Sequence, residues 1–153
     1  SELMYGDKGQ VPEEEYLIPI GKSKIVHEGN DVTLVSFGKM MKVAEETYLA
    51  AQKEGINIEV IDLRSVRPID FESIVNSVKK TNRLVIIEEA WPLASISSEI
   101  SHHIQRFAFD YLDAPVHRIT CEDVPFHYAP TLIKEITPNV EKGLKAVKSV
   151  MYR

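Results

Sequence analysis

The sequence predicts an α/β domain: a largely parallel sheet covered on both faces by helices. Two observations carry that expectation. Short β-branched, apolar runs alternate along the chain with stretches of helical periodicity. The runs are also nearly continuous in apolar residues, as in Val32-Thr33-Leu34-Val35-Ser36-Phe37 and Arg83-Leu84-Val85-Ile86-Ile87-Glu88, which marks strands covered on both sides.

The first sixteen residues set Glu2, Asp7, Glu13, Glu14 and Glu15 against Lys8, and Gly6, Gly9 and Pro12 interrupt regular structure. Residues 1–16 read as a solvated acidic arm, with the domain proper over 17–153. Lys22 to Glu28 forms a first strand and Val32 to Phe37 a second; the turn at Gly29-Asn30 invites pairing them as a hairpin. Met40 to Glu54 places Met40, Val43, Ala44, Thr47, Tyr48 and Ala51 on one helical face, and Gly55 ends the helix. Ile58 to Leu63 is a third strand. Asp70 caps a helix whose Phe71, Ile74, Val75 and Val78 share a face, with Lys79 and Lys80 suited to its last turn. Arg83 to Glu88 is the fourth strand. A helix from Ser95 to Tyr111 brings Ile96, Ile100, His103, Ile104, Phe107 and Tyr111 into register. Val116 to Thr120 is the fifth strand. A short helix over Thr131 to Ile136 stops before Pro138. Asn139 caps a last helix with Val140, Leu144, Val147 and Met151 on its inner side.

The chain of 153 residues suffices for one domain with a real core. A net charge of −5 without Lys/Arg blocks argues against nucleic acid. No apolar run approaches the roughly 20 residues that span a bilayer. The single cysteine, Cys121, excludes an internal disulfide framework. The chain opens at Ser1 rather than Met, which suggests a piece of a longer polypeptide.

The stretch Glu88-Glu89-Ala90-Trp91-Pro92 lies where ligands gather in an open α/β sheet, beyond the carboxyl end of a strand. Adjacent strand residues point to opposite faces, so the two carboxylates do not converge on one reacting bond. A structural or intersubunit role is the expectation. Phosphate-cradling glycine patterns are missing; Gly38-Lys39 at a strand-to-helix junction is read as a connecting turn rather than an anion site. His103 falls on an apolar stripe and reads as a core histidine, while His102 faces solvent or a partner. Cys121 reads as an inert thiol. The loops Leu112-Asp113-Ala114-Pro115 and Asp123 to Pro130 concentrate aromatics and prolines, and serve either recognition or the stapling of terminal helices to the sheet. From the residues alone the domain lacks a self-contained catalytic constellation.

Taken together, Ser1-Glu2-Leu3-Met4-Tyr5-Gly6, Leu63-Arg64-Ser65-Val66-Arg67-Pro68-Ile69-Asp70, Glu88-Glu89-Ala90-Trp91-Pro92 and Leu112-Asp113-Ala114-Pro115-Val116-His117-Arg118 resemble the β-subunit family of the pyruvate dehydrogenase E1 component. The resemblance covers the whole chain and corresponds to the C-terminal, transketolase C-terminal-like half of that subunit. It implies a three-layer α/β/α fold with a five-stranded, mostly parallel sheet, first strand antiparallel, in the order 1-3-2-4-5. That order excludes the hairpin. It implies that the arm connects to a preceding pyrimidine-binding domain. It further implies a thiamine-diphosphate- and Mg²⁺-dependent enzyme that decarboxylates pyruvate and acetylates the lipoyl group of E2, in the bacterial cytoplasm or the mitochondrial matrix. The cofactor lies between the α subunit and the N-terminal domain of β, so no catalytic, cofactor-binding or metal-binding residue is expected here. The implied partners are the E1 α subunit, a second β subunit in an α₂β₂ assembly, and the subunit-binding domain of E2 dihydrolipoyl acetyltransferase. The family's docking aspartate matches Asp113, and the C-terminus points to Tyr152 and Arg153 beside it. Glu88, Glu89, Trp91 and Pro92 are the expected subunit interface. The basic character of the last helix (Lys142, Lys145, Lys148) sits awkwardly with the basic E2 module. Branched-chain 2-oxo acid and acetoin dehydrogenase β subunits share the fold. A free-standing flavodoxin-like module, holding an anion near Gly38 or Trp91, is the alternative from another class.

Overall fold

A computed structural model describes residues 8–153; the Ser1–Gly6 motif and the start of the acidic arm lie outside them. Residues 8–16 of the arm and 17–20 after it are exposed and carry no strand or helix. The elements that follow are β1 (Lys24–His27), β2 (Val32–Ser36), α1 (Met40–Lys53), β3 (Ile58–Asp62), α2 (Phe71–Thr81), β4 (Leu84–Ile87), α3 (Ile96–Phe107), β5 (His117–Ile119), α4 (Pro130–Ile136) and α5 (Val140–Val150).

The five strands form one sheet in the order β1-β3-β2-β4-β5. β1 runs antiparallel to β3, and all other neighbours are parallel. The hairpin suggested by Gly29-Asn30 does not form, for a visible reason. The backbone amides of Asn30 and Asp31 donate to the Asn57 carbonyl at 3.1 and 2.9 Å, which seats β3 between β1 and β2. Gly29 serves a close approach instead: a Cβ there would stand 2.2 Å from the Ile58 carbonyl carbon.

Alternation along the strands divides the core in two. Val32, Leu34, Ile58, Val60, Val85 and Ile87 pack beneath α1 and α5. Val35, Ile61, Leu84 and Ile86 pack beneath α2 and α3, against Ile74, Val78, Ile100 and Ile104. Asp70 caps α2 as its position predicts, accepting from the Ser73 amide at 3.3 Å, and Asn139 caps α5 by accepting from the Lys142 amide at 2.9 Å.

Two helix faces differ from the periodicity reading. The α3 helix ends at Phe107, because Ala108 takes φ −141°, and a single 3₁₀ turn covers Phe109–Tyr111. Tyr111 thus leaves the helical register, and both it and Phe107, the last residue of α3, stand exposed. In α5 the deepest residues are Gly143, Ala146, Val147 and Val150, with Val140, Leu144 and Met151 half-buried. The helix is turned to let Gly143 meet α1, where an added Cβ would lie 2.3 Å from Thr47 Oγ1. No helix among the described residues is long and apolar enough to cross a membrane.

Candidate functional site

Two regions gather the residues singled out by sequence. The first is the carboxyl end of β4. Glu88 and Glu89 diverge as strand geometry requires. The Glu88 side chain is fully buried: Oε1 accepts from the Ser97 amide at 3.0 Å and from the Ser97 hydroxyl. Its second oxygen, Oε2, is buried without a hydrogen-bond partner among the described residues. Glu89 turns the other way and pairs with Lys39 at the start of α1. That pairing commits the cation of the Gly38-Lys39 junction to a carboxylate, which works against an anion site there.

Arg118, the last residue of the Leu112–Arg118 motif, organises this end. Its Nε donates to Ser97 Oγ at 2.8 Å, while Nη2 donates to Ser95 Oγ at 3.0 Å and to the Pro92 carbonyl. One guanidinium thus ties β5 to the loop and to the first turn of α3. It balances the Glu88 charge at one remove, through the Ser97 hydroxyl. No local pattern flags this, since Arg118 and Ser97 are 21 positions apart.

Trp91 remains 51 % exposed, its indole N–H donating to the Val124 carbonyl at 3.0 Å. A cavity of about 190 Å³ lies beside it, lined by Glu89, Ala90, Trp91, Cys121 and Phe126. Cys121 is buried and its backbone amide donates to the Ala90 carbonyl; burial pushes the thiol pKa up, which suits an inert sulfur. The Glu88 carboxylate is enclosed within the domain. The exposed part of this edge is therefore Glu89, Trp91 and the half-buried Pro92.

The second region is the corner where the 112–115 loop meets the C-terminus. Asp113 accepts from Arg83 Nη2 at 3.1 Å through Oδ2, its amide donates to the Asn82 carbonyl at 2.8 Å, and its carbonyl accepts from the Tyr152 hydroxyl at 3.0 Å. The same Arg83 donates through Nε to the Val150 carbonyl at 3.1 Å. Asp113 and Tyr152 are thereby brought into contact across 39 positions, and Arg153, next in the chain, donates its amide to the Lys148 carbonyl at 3.0 Å. The Asp113 side chain stays 54 % exposed, so its carboxylate is both oriented and accessible. Arg83 is the residue sequence reasoning missed; its position at the mouth of a buried strand offers no sign of a contact with the C-terminus.

The histidines lie elsewhere. His102 is exposed, and His103 is half-buried, stacked on Phe71 with ring centroids 3.8 Å apart and tilted against Phe107 at 4.5 Å. Burial lowers the His103 pKa, favouring the neutral ring. No group of three or more His, Cys, Asp or Glu side chains among the described residues is placed to hold a metal ion.

The profile of the family described as "Transketolase, C-terminal domain" matches residues 21–142. The chain belongs to that family. Among its relatives, the pyruvate dehydrogenase E1 component subunit beta of Rhizobium meliloti (strain 1021) is 44 % identical over 154 residues, covering 100 % of this chain and 34 % of the relative. The mitochondrial subunit beta of Dictyostelium discoideum is 46 % identical over 157 residues, covering 100 % of this chain and 44 % of the relative. The chain thus spans well under two thirds of the length of these relatives. A solved structure titled "Split gene transketolase, inactive beta4 tetramer" superimposes with a TM-score of 0.82 at 25 % identity, over 94 % of this chain and 46 % of that one. A 2-oxoglutarate:ferredoxin oxidoreductase from Magnetococcus marinus shares the fold alone, at a TM-score of 0.56 and 13 % identity. As a transketolase C-terminal domain the chain shows the sheet order that the resemblance implies, and the flavodoxin-like alternative falls away.

Proposed function

We propose that this chain is the C-terminal assembly and E2-docking domain of the β subunit of a thiamine-diphosphate-dependent pyruvate dehydrogenase. The observation that carries the reading is the corner at Asp113. A carboxylate fixed on one side by Arg83, and held against the C-terminal Tyr152, leaves its other oxygen free to receive a Lys or Arg of a basic partner. Asp113, Tyr152 and Arg153 are the proposed contact with the E2 subunit-binding domain.

The second face is the proposed contact within an α₂β₂ assembly that includes the E1 α subunit and a second β subunit. Glu89, Trp91 and Pro92 form its accessible part, and a half-exposed indole beside a small apolar cavity supports the reading. Glu88 supports that edge from inside. The relatives carry the pyruvate designation in bacterial and mitochondrial proteins. Those names support pyruvate over branched-chain 2-oxo acids or acetoin, and the bacterial cytoplasm or the mitochondrial matrix is the proposed location. Among the described residues no group of three or more His, Cys, Asp or Glu side chains is placed to hold a metal ion. Thiamine diphosphate and Mg²⁺ are proposed to be held by the other modules of the enzyme, as the resemblance implies.

The test is a titration of the complete enzyme with E2. Asp113→Ala is expected to weaken binding by about tenfold, equivalent to roughly 1.4 kcal/mol, while single-turnover decarboxylation is retained. Unchanged affinity removes Asp113 from the docking site. Trp91 gives an independent readout: its emission is red-shifted in the chain alone and moves to the blue on assembly. A blue spectrum before assembly contradicts the interface reading.

A further inference from the structure

Asp113 is held at every polar atom but one. Its amide donates to the Asn82 carbonyl at 2.8 Å, its carbonyl accepts from the Tyr152 hydroxyl at 3.0 Å, and Oδ2 accepts from Arg83 Nη2 at 3.1 Å. The second carboxylate oxygen, Oδ1, is the atom left to a partner.

Two adjacent residues at the junction of α2 and β4 make most of this frame. Asn82 ends α2 in the left-handed conformation, φ 62°, which asparagine tolerates at a helix C-terminus. That turn aims its carbonyl at the Asp113 amide and its side-chain Nδ2 at the Tyr111 carbonyl, 2.8 Å away, so one residue grips the 111–113 segment at both ends. Arg83 is fixed before it reaches the carboxylate. Its Nε donates to the Val150 carbonyl at the end of α5 at 3.1 Å, and its Nη1 donates to the Asp31 carbonyl ahead of β2 at 3.4 Å. Nη2 is then the edge of the guanidinium that meets Asp113. A planar fork can hold three such directions at once, and a lysine ammonium on a flexible stem cannot. The carboxylate is therefore both exposed and aimed, which is how a binding group is made ready ahead of its partner.

We propose that Asn82 and Arg83 are positioning residues of the docking site: they set the affinity for the basic partner through Asp113, without touching that partner. The inference rests on the docking reading of Asp113 and extends the site to the backbone junction behind it. Arg83 lies 30 positions from the aspartate it orients.

The experiment titrates the complete enzyme with the E2 subunit-binding domain by calorimetry. Asp113→Ala tests the docking reading itself, and unchanged affinity removes that reading and this inference together. Given a loss there, Arg83→Lys is expected to weaken binding about fivefold, since the charge is kept and the three-way bonding is not. Asn82→Gly suits the left-handed turn and removes the bond to Tyr111; it is expected to weaken binding about twofold. Asp113→Glu keeps the charge but carries it out of the frame, and is expected to bind as weakly as Asp113→Ala. The deciding readout is a double-mutant cycle. In the Asp113→Ala background, Arg83→Lys and Asn82→Gly are expected to change the affinity no further. A merely structural role would carry their losses into that background undiminished, and that result overturns the proposal. Wild-type affinity in both Arg83→Lys and Asn82→Gly, or in Asp113→Glu, overturns it too, while a weak Asp113→Ala leaves the docking reading standing. Where Arg83→Lys does not fold, Asn82→Gly carries the cycle by itself.

Discussion

Glu59 and Glu88 are both almost wholly buried, at 1 % and 0 % exposure, at opposite ends of the parallel sheet. They are accommodated by different means. At the amino end, Glu59 on β3 is met directly by Lys80 of α2, whose ammonium also binds Glu28 at 3.0 Å and keeps a path to water. The register sets Thr33 beside Glu59, and the Thr33 hydroxyl joins Ser77 and Thr81, both at 2.6 Å, so a polar strip runs beneath α2. At the carboxyl end, Glu88 is met by neutral donors from Ser97, and its counter-charge, Arg118, stands one side chain away. A directly paired charge fixes one helix on one strand. A relayed charge ties together a loop, a helix start and an edge strand. The second arrangement suits the end of the sheet where a surface is presented.

Lys80→Met attacks the direct pair and carries the largest expected effect, about 3 kcal/mol in urea unfolding, because it strands Glu59 in the interior. Adding Glu59→Leu is expected to recover most of that loss; if it does not, the ion pair is not what α2 depends on. Hydrogen bonding to Glu59, with a contribution from Glu28, raises the Lys80 pKa against the opposing effect of burial. The sign follows from linkage: this contribution is complete below the ordinary lysine value of 10.5, and is lost as pH rises through the higher folded value.

Arg118→Met sharpens the comparison from the other side. It removes three hydrogen bonds and is expected to cost about 2 kcal/mol. A double-mutant cycle with Glu88→Gln is expected to give a coupling of about 1 kcal/mol, transmitted through Ser97. Strict additivity would mean that the two charges do not sense each other. Trp91 emission reports the same change locally, since the Pro92 carbonyl loses its donor.

Asp70 tests whether neutral donors suffice for a buried carboxylate. Burial pushes its pKa up, but the amides and hydroxyls of Ser23 and Ser73 together outweigh that and hold it below the ordinary 3.8. Its stabilisation is therefore complete above pH 3.8 and is lost as pH falls through the folded value. Asp70→Ala is expected to cost about 1 kcal/mol and to flatten that acid limb. The smallest effect is expected from Tyr152→Phe, about 0.5 kcal/mol, since its hydroxyl bonds the Asp113 carbonyl at the surface. A loss comparable to that of Arg118→Met would make the C-terminal corner a structural pillar.

What sequence made legible follows a physical rule. Asp70 and Asn139 announced their helices because a cap acts over three residues, and the apolar face of α1 was readable because its period is local. Tyr111 misled because periodicity continued past the point where the backbone at Ala108 broke the helix, and Phe107 because it is the last residue of α3, exposed at the helix end. At the candidate sites, the divergence of Glu88 and Glu89 was readable from strand geometry. The roles of Arg83 and Arg118 were not, since their partners lie 30 and 21 positions away.

The sequence by itself determined the layers, the buried strands and most helix boundaries, because each depends on neighbours within a turn or a pleat. The placement of β3 between β1 and β2 came from the resemblance and not from periodicity, and only the tertiary structure decided that one glutamate is paired and the other relayed, and that Asp113 meets Tyr152. Those outcomes depend on which surfaces come together once the chain has closed on itself, and contacts of that range leave no periodic trace in the order of residues.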